Sequence, residues 1–114
     1  MRKIERDMNR AIRAGRNFSN SNTTVQTTTF FNSQDVYCEE SRVFLHGNHI
    51  ATVTKNSIFL FDGGWQSNTT KSRLNALLDE FSYGMRVFQK NWEWFVGYKN
   101  VSEDFVNGME LAID

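Results

Sequence analysis

The stretch VYCEESRVFLHGNHIATVTKNSIFLFDGGW (residues 36–65) contains three apolar runs separated by short polar breaks. Gly47-Asn48 separates the first two runs and suits a two-residue hairpin turn, because both residues tolerate a positive φ. Lys55-Asn56 can serve in the same way before the third run, and Asp62-Gly63-Gly64 ends that run. The stretch therefore predicts an antiparallel β-meander.

An amphipathic helix is predicted before the meander, over residues 2–16. Its apolar residues recur at i, i+4, i+7 and i+8, which places them on one stripe, and Gly15 is a suitable stop. Residues 18–22, FSNSN, predict a loop. The β-branched run TTVQTTTFF (residues 23–31) predicts a strand at the edge of the sheet, because it carries little apolar surface.

A second helix and further strands are predicted after the meander. Residues 67–70 offer several N-caps, the leucines of RLNALL recur at helical spacing, and Gly84 suits the C′ position. We expect this helix to pack on the sheet. In residues 85–99 Trp92, Trp94 and Val96 alternate onto one side, and DFVNGMELAI (residues 104–113) predicts a closing strand or hairpin arm.

These patterns predict one compact α+β domain over residues 1–114. Its parts are an N-terminal amphipathic helix, an antiparallel β-meander, a second helix packed on the sheet and a C-terminal β-hairpin. A length of 114 residues fits one domain, and ten Phe, three Trp and three Tyr supply a core. No apolar run approaches the roughly 20 residues of a membrane-spanning helix. The charged N-terminus lacks an apolar signal region, so we expect a cytoplasmic protein.

No motif in the chain predicts catalysis, a cofactor or a metal. The serine-hydrolase, zincin, EF-hand and phosphate-loop spacings are absent. Cys38 is the single cysteine and has acidic neighbours, which oppose a nucleophilic thiolate. His46 and His49 flank the predicted turn, but a stable metal site needs three or four ligands. We therefore expect the two imidazoles to be exposed or half-buried side chains at the turn and not metal ligands.

Two regions are candidates for binding. The first is the basic outer face of the N-terminal helix, because arginines on one face suit phosphates or an acidic protein. This face comprises Arg2, Lys3, Arg6, Arg10, Arg13 and Arg16, of which Arg6, Arg10 and Arg13 are the candidate binding residues. The second is the loop before helix two, where Trp65, Lys71 and Arg73 could surround an anion at the helix N-terminus. Ordinary strand-end and capping roles explain that loop equally well.

The chain also resembles a family of small bacteriophage proteins over residues 42–111. The similar stretches are RVFLHGNHIATV, FDGGWQSNTTKSRLNALLDEF, and WEWFVGYK followed by DFVNGMEL. The resemblance implies a phage gene product that acts in the bacterial cytoplasm, and it supplies no catalytic residues. The shared residues have either a structural role, as turn, cap and packing residues, or form a polar ligand surface. That surface would comprise Trp65, Gln66, Asn68, Lys71, Arg73 and Asn75.

We therefore predict a non-enzymatic phage accessory protein that binds a host macromolecule. The preferred target is a host protein or defence complex, which the phage protein would inhibit or modulate. The alternative is a nucleic-acid-binding module that uses the basic helix face, and a third reading is a nucleotide or small-ligand binder at residues 63–73. The neutral formal charge and pI near 6.7 are not those of a dedicated nucleic-acid domain. The weakly protected edge strand also suits a homodimer.

Overall fold

The chain forms two helices and nine strands over residues 1–82, 84–98 and 100–113, which are the residues described by the computed structural model. The elements in chain order are α1 (Lys3–Arg13), β1 (Phe18–Asn20), β2 (Thr23–Phe31), β3 (Tyr37–Leu45), β4 (Asn48–Val53), β5 (Ser57–Leu60), α2 (Asn68–Phe81), β6 (Met85–Lys90), β7 (Glu93–Tyr98), β8 (Val101–Asp104) and β9 (Met109–Ala112). The predicted α+β class is confirmed.

The strands form two antiparallel sheets. The first sheet has the order β1-β2-β3-β4-β5-β9, and the second has the order β6-β7-β8. The predicted meander corresponds to β3, β4 and β5, and the predicted closing strand is β9, which pairs with β5. The C-terminal part differs from the expected hairpin, because β8 adds a third strand to it.

The turn between β3 and β4 lies one residue earlier than the sequence predicts. Leu45 pairs with Asn48, so the turn residues are His46 and Gly47, both at positive φ (52° and 78°). The register shifts by one residue between Val43 and Phe44, as in a β-bulge. Ile50 at the bulge has no partner in β3 and is buried like its neighbour Ala51, so strict alternation does not continue through β4 and does not locate the turn.

Residues predicted as a loop form the edge strand β1. Phe18 pairs with Val25 and Asn20 pairs with Thr23, so β1 covers only the first part of β2. The edge position predicted for β2 is therefore wrong over its first three residues and holds from Gln26 onward. A short polar strand is held by backbone hydrogen bonds and needs no apolar periodicity, which is why sequence reasoning missed it.

The helix termini follow the capping chemistry of the sequence. Gly15 N–H donates to Ile12 O (3.1 Å) and Arg16 N–H donates to Ala11 O (2.9 Å), which closes α1 with a Schellman motif at Gly15 as predicted. Ser67 caps α2 and accepts from Thr70 N–H (3.1 Å). The C-cap of α2 is Ser82, so Gly84 lies two residues beyond it, and the C′ position falls outside the described residues.

The core joins both helices to both sheets. The two helices lie side by side, with Met8 and Ile12 of α1 packed against β2 and the leucines of α2 packed against β4 and β6. One continuous cluster of buried side chains therefore includes Val43 of the first sheet and Trp94 of the second. Helix α2 packs on the sheets as predicted. Neither described helix is long and apolar enough to cross a membrane.

Candidate binding surfaces

The outward face of α1 is covered by exposed cationic side chains. They are Arg2 and Lys3 at the start, Arg6, Arg10 and Arg13 along the face, and Arg16 after the helix. Asp7 lies among them: Lys3 Nζ is 2.8 Å and Arg10 Nη1 3.7 Å from its carboxylate oxygens. The hydrogen bond from Lys3 lowers the pKa of Asp7 below its usual value. The face is thus basic with one fixed negative charge within it.

Arg13 differs from the other arginines because it joins the two helices. Its guanidinium pairs with the Glu80 carboxylate, and its Nη2 donates to Glu80 O (3.0 Å). The guanidinium carbon also lies 4.9 Å from the centre of the Phe81 ring. Arg6 forms no ion pair with any described residue, and Arg10 has only the long contact to Asp7. Arg6 and Arg10 are therefore the more available members of the predicted set.

The charges of the chain are segregated. Residues 1–16 hold six of the 13 Lys and Arg residues and two of the 13 Asp and Glu residues, so this segment has a net charge of +4 and the remainder has −4. A neutral total thus conceals a strongly basic N-terminal segment. Such a segment attracts anionic partners over a distance set by the ionic strength.

The loop before α2 does not gather the predicted anion-binding residues. It borders a hollow of about 400 Å³ whose lining includes Asp62, Trp65 and Ser67, but neither Lys71 nor Arg73. Lys71 Nζ donates instead to Gln89 Oε1 (3.2 Å). The Asp62 carboxylate accepts the Gly64 N–H (2.8 Å) and would repel an anion. Trp65 is 75% exposed and remains a candidate contact residue.

Arg73 lies in the core and not at the loop surface. It is 3% exposed, and its Nη1 is 2.8 Å from Glu5 Oε2. Its Nε donates to Thr23 Oγ1 (3.0 Å) and its Nη2 donates to Asn22 Oδ1 (3.2 Å). Ser72 Oγ donates to the same Glu5 oxygen (2.6 Å). Each guanidinium nitrogen thus has a partner within the protein, and these contacts hold α1, α2 and β2 together, so Arg73 does not contribute to a binding surface.

The two histidines do not converge. His46 lies exposed in the turn, whereas the His49 ring packs against Phe44 (centroids 5.6 Å apart) and Phe61 (4.4 Å). His49 Nε2 is 2.7 Å from Thr52 Oγ1. Among the described residues, no group of three or more His, Cys, Asp or Glu side chains could hold a metal ion.

A further surface, which sequence reasoning missed, lies at the end of the β2–β3 hairpin. We call residues 28–40 the arm; at its tip Asn32 Oδ1 accepts from Gln34 N–H (2.8 Å) and Val36 N–H (3.1 Å). Its apolar residues are exposed, and Phe31 (67% exposed) meets Tyr37 (61%) edge to face at 5.7 Å. The others are Phe30 and Val36. Adjacent apolar residues on both sides of the turn are the signal that could have located this surface.

The family model described as Kyanoviridae Gp96 protein matches residues 1–112. The chain belongs to this phage protein family. The resemblance to phage proteins is thus confirmed at the level of the family, and phage proteins are made inside the host cell. No curated protein and no solved structure matches the chain.

The stability of this phage protein should decrease as His49 takes up a proton. Burial lowers the pKa of His49 below 6.5, although the hydrogen bond with the Ala51 backbone acts in the opposite direction. The unfolded chain therefore binds this proton more tightly, so the stabilisation is complete above about pH 7 and falls as the pH decreases through about 6.5. Urea unfolding at a pH above 7 and at a pH well below 6.5 should show a smaller decrease in the free energy of unfolding for His49→Gln than for the wild type. An identical decrease would contradict the burial of the imidazole.

Proposed function

We propose that this phage protein works without catalysis, by binding a host protein through the basic outer face of α1. The observation that carries the proposal is the exposure of Arg6 and Arg10 on a segment with net charge +4. Arginine is enriched at interface hot spots, and its planar guanidinium can form paired hydrogen bonds to a carboxylate. The complementary partner surface is acidic.

Two carboxylates, Asp7 within this face and Glu80 of α2 beside it, favour a protein partner over a nucleic acid. Asp7 lies between Lys3 and Arg10, and the Glu80 carboxylate forms an ion pair with the guanidinium of Arg13. A continuous phosphate backbone would approach both carboxylates, whereas a protein can place a hydrogen-bond donor or a cation opposite each of them. The neutral total charge of the chain points the same way.

Capture from a nuclease-treated host lysate tests this proposal. The immobilised wild type should retain a host protein that Arg6→Glu/Arg10→Glu loses, because an arginine hot spot contributes about 2 kcal/mol or more. Arg86→Glu/Lys90→Glu is the matched control, since it reverses two exposed charges on β6 and changes the net charge equally. Equal retention by all three proteins, or loss with the control alone, would contradict the proposal.

Nucleic-acid binding is the second candidate, and the segregated charge of residues 1–16 favours it. Fluorescence anisotropy with labelled single- and double-stranded DNA and RNA separates the two functions. We expect at most weak binding at low salt, which disappears near physiological salt because only non-specific attraction to phosphates is available. Binding that persists near physiological salt and is lost in Arg6→Glu/Arg10→Glu would establish the second candidate in place of the first.

A further inference from the structure

We propose that two copies of the chain associate through their arms, which lie face to face and antiparallel about a two-fold axis. The tip of each arm then occupies the groove at the base of the other. This inference does not depend on the proposed function, because Arg6 and Arg10 lie outside the groove that it uses. The partner that occupies the groove is a second copy of this chain.

The open backbone edge of the arm is the first observation. Thr27 N–H points away from β3 and donates to Asn17 Oδ1 (2.8 Å). Alternate residues of a strand point their N–H groups in the same direction, so those of Thr29 and Phe31 face outward beyond the end of β1. Beyond β1, no described strand pairs with this side of the arm, so a second copy of the chain can approach it.

The apolar face of the arm is the second observation. Val25 and Val43 are buried on the face of the sheet that the helices cover, and Phe31 and Tyr37 lie on that same face by the two-residue period. They lie beyond the reach of the helices and are exposed. An isolated two-stranded ribbon is marginally stable in water, so cover for this face would stabilise the arm itself.

The groove that would receive a tip lies between the arm and the ends of both helices. It has a volume of about 880 Å³, and its lining combines apolar side chains with two cations and with the carboxylates of Glu39 and Glu40. Ile12, Phe81 and Ile113 line it from the body of the molecule, together with Arg13 and Lys55. Arg13 pairs with Glu80 and Glu40 pairs with Arg42, so Lys55 is the lining cation left for a segment that is apolar and carries a carboxylate.

The tip of the arm has this character. Asp35 lies between the apolar residues of the tip, and neither Asp35 nor Lys55 has an ion-pair partner among the described residues. Two arms of equal length that lie antiparallel bring the tip of each over the base of the other. Because of the two-fold symmetry, the contact between Asp35 of one copy and Lys55 of the other then occurs twice. The zero net charge of the chain adds no overall repulsion between copies.

Sedimentation velocity over a range of concentrations, from low micromolar to several hundred micromolar, tests the inference. The wild type should change from monomer to dimer over this range, and Phe31→Asp should remain monomeric, because it places a charge on the apolar face. Asp35→Lys and Lys55→Asp should each weaken the dimer at least about tenfold, which corresponds to about 1.4 kcal/mol. The double variant Asp35→Lys/Lys55→Asp should recover most of the wild-type affinity.

Two further variants serve as controls. Asp35 has a φ of 62°, so Asp35→Asn removes the charge in a residue that tolerates this backbone, and it should also weaken the dimer. Arg6→Glu/Arg10→Glu should dimerise like the wild type, which separates this inference from the proposed function. A wild type that is monomeric throughout would overturn the inference. So would a dimer indifferent to Phe31→Asp, or a double variant that is no better than the single ones.

Discussion

Arg73→Met should lower the free energy of unfolding by about 3–5 kcal/mol, because it leaves a buried carboxylate without its cation. The side chains of Arg73 and Glu5 are each 4% exposed, and their charged atoms are 2.8 Å apart. The substitution also removes the donors that Thr23 and Asn22 accept from. Urea unfolding should show a lower midpoint at an unchanged slope.

A surface ion pair supplies the matched control. Arg86 Nη1 is 3.4 Å from Asp79 Oδ1, and both side chains are more than half exposed. Arg86→Met should therefore cost less than about 1 kcal/mol. Adding Glu5→Gln to Arg73→Met should recover part of the lost stability, since no unpaired charge remains. Similar midpoints for Arg73→Met and Arg86→Met would mean that the Glu5–Arg73 pair is not buried.

Trp94→Ala should lower the free energy of unfolding by about 3–5 kcal/mol, because a large core side chain is lost. Trp94 is buried and meets the ring of Phe105 edge to face at 5.3 Å. Lys71 Nζ lies 5.9 Å from the centre of the Trp94 ring, so this side chain also connects the second sheet to α2. Denaturant unfolding followed by circular dichroism measures the loss.

Trp92 is the control within the same segment. It occupies the turn between β6 and β7 at a φ of 68° and is 89% exposed. Trp92→Ala should therefore change the stability by no more than about 0.5 kcal/mol. Equal losses for the two variants would contradict the placement of the turn and favour the simple alternation predicted from the sequence, in which both rings share one side.

Local patterns predicted both helices and the three strands of the meander, but they missed the short strand β1 and the turn at Trp92. The three apolar runs of residues 36–65 predict β3, β4 and β5 because alternation and turn residues act over a few positions. The tryptophan alternation failed at Trp92 because Asn91 and Trp92 both adopt a positive φ, which ends the strand. Asn91 tolerates this conformation, but tryptophan seldom adopts it, so the pair did not mark a turn in the sequence.

The candidate surfaces were only partly predictable. The periodicity of α1 places Arg6 and Arg10 outward without any tertiary information. Arg73 was assigned to a surface loop because its partner Glu5 lies 68 residues away in sequence. Phe31 and Tyr37 have the composition of core residues, and their exposure follows from the arm extending beyond the helices. The burial of a side chain depends on the elements that pack against it, and a local sequence pattern does not identify those elements.

Photo-crosslinking in host cells is the most direct test of binding through α1. A photoreactive phenylalanine analogue is placed at Lys3, whose side chain is 79% exposed on the basic face, or at Phe88 on the second sheet as the control position. We expect a crosslink to a host protein from position 3 that resists nuclease, is lost with Arg6→Glu/Arg10→Glu, and is absent from position 88. A crosslink to a host protein from position 88 alone, or a crosslink from position 3 to nucleic acid, would contradict it.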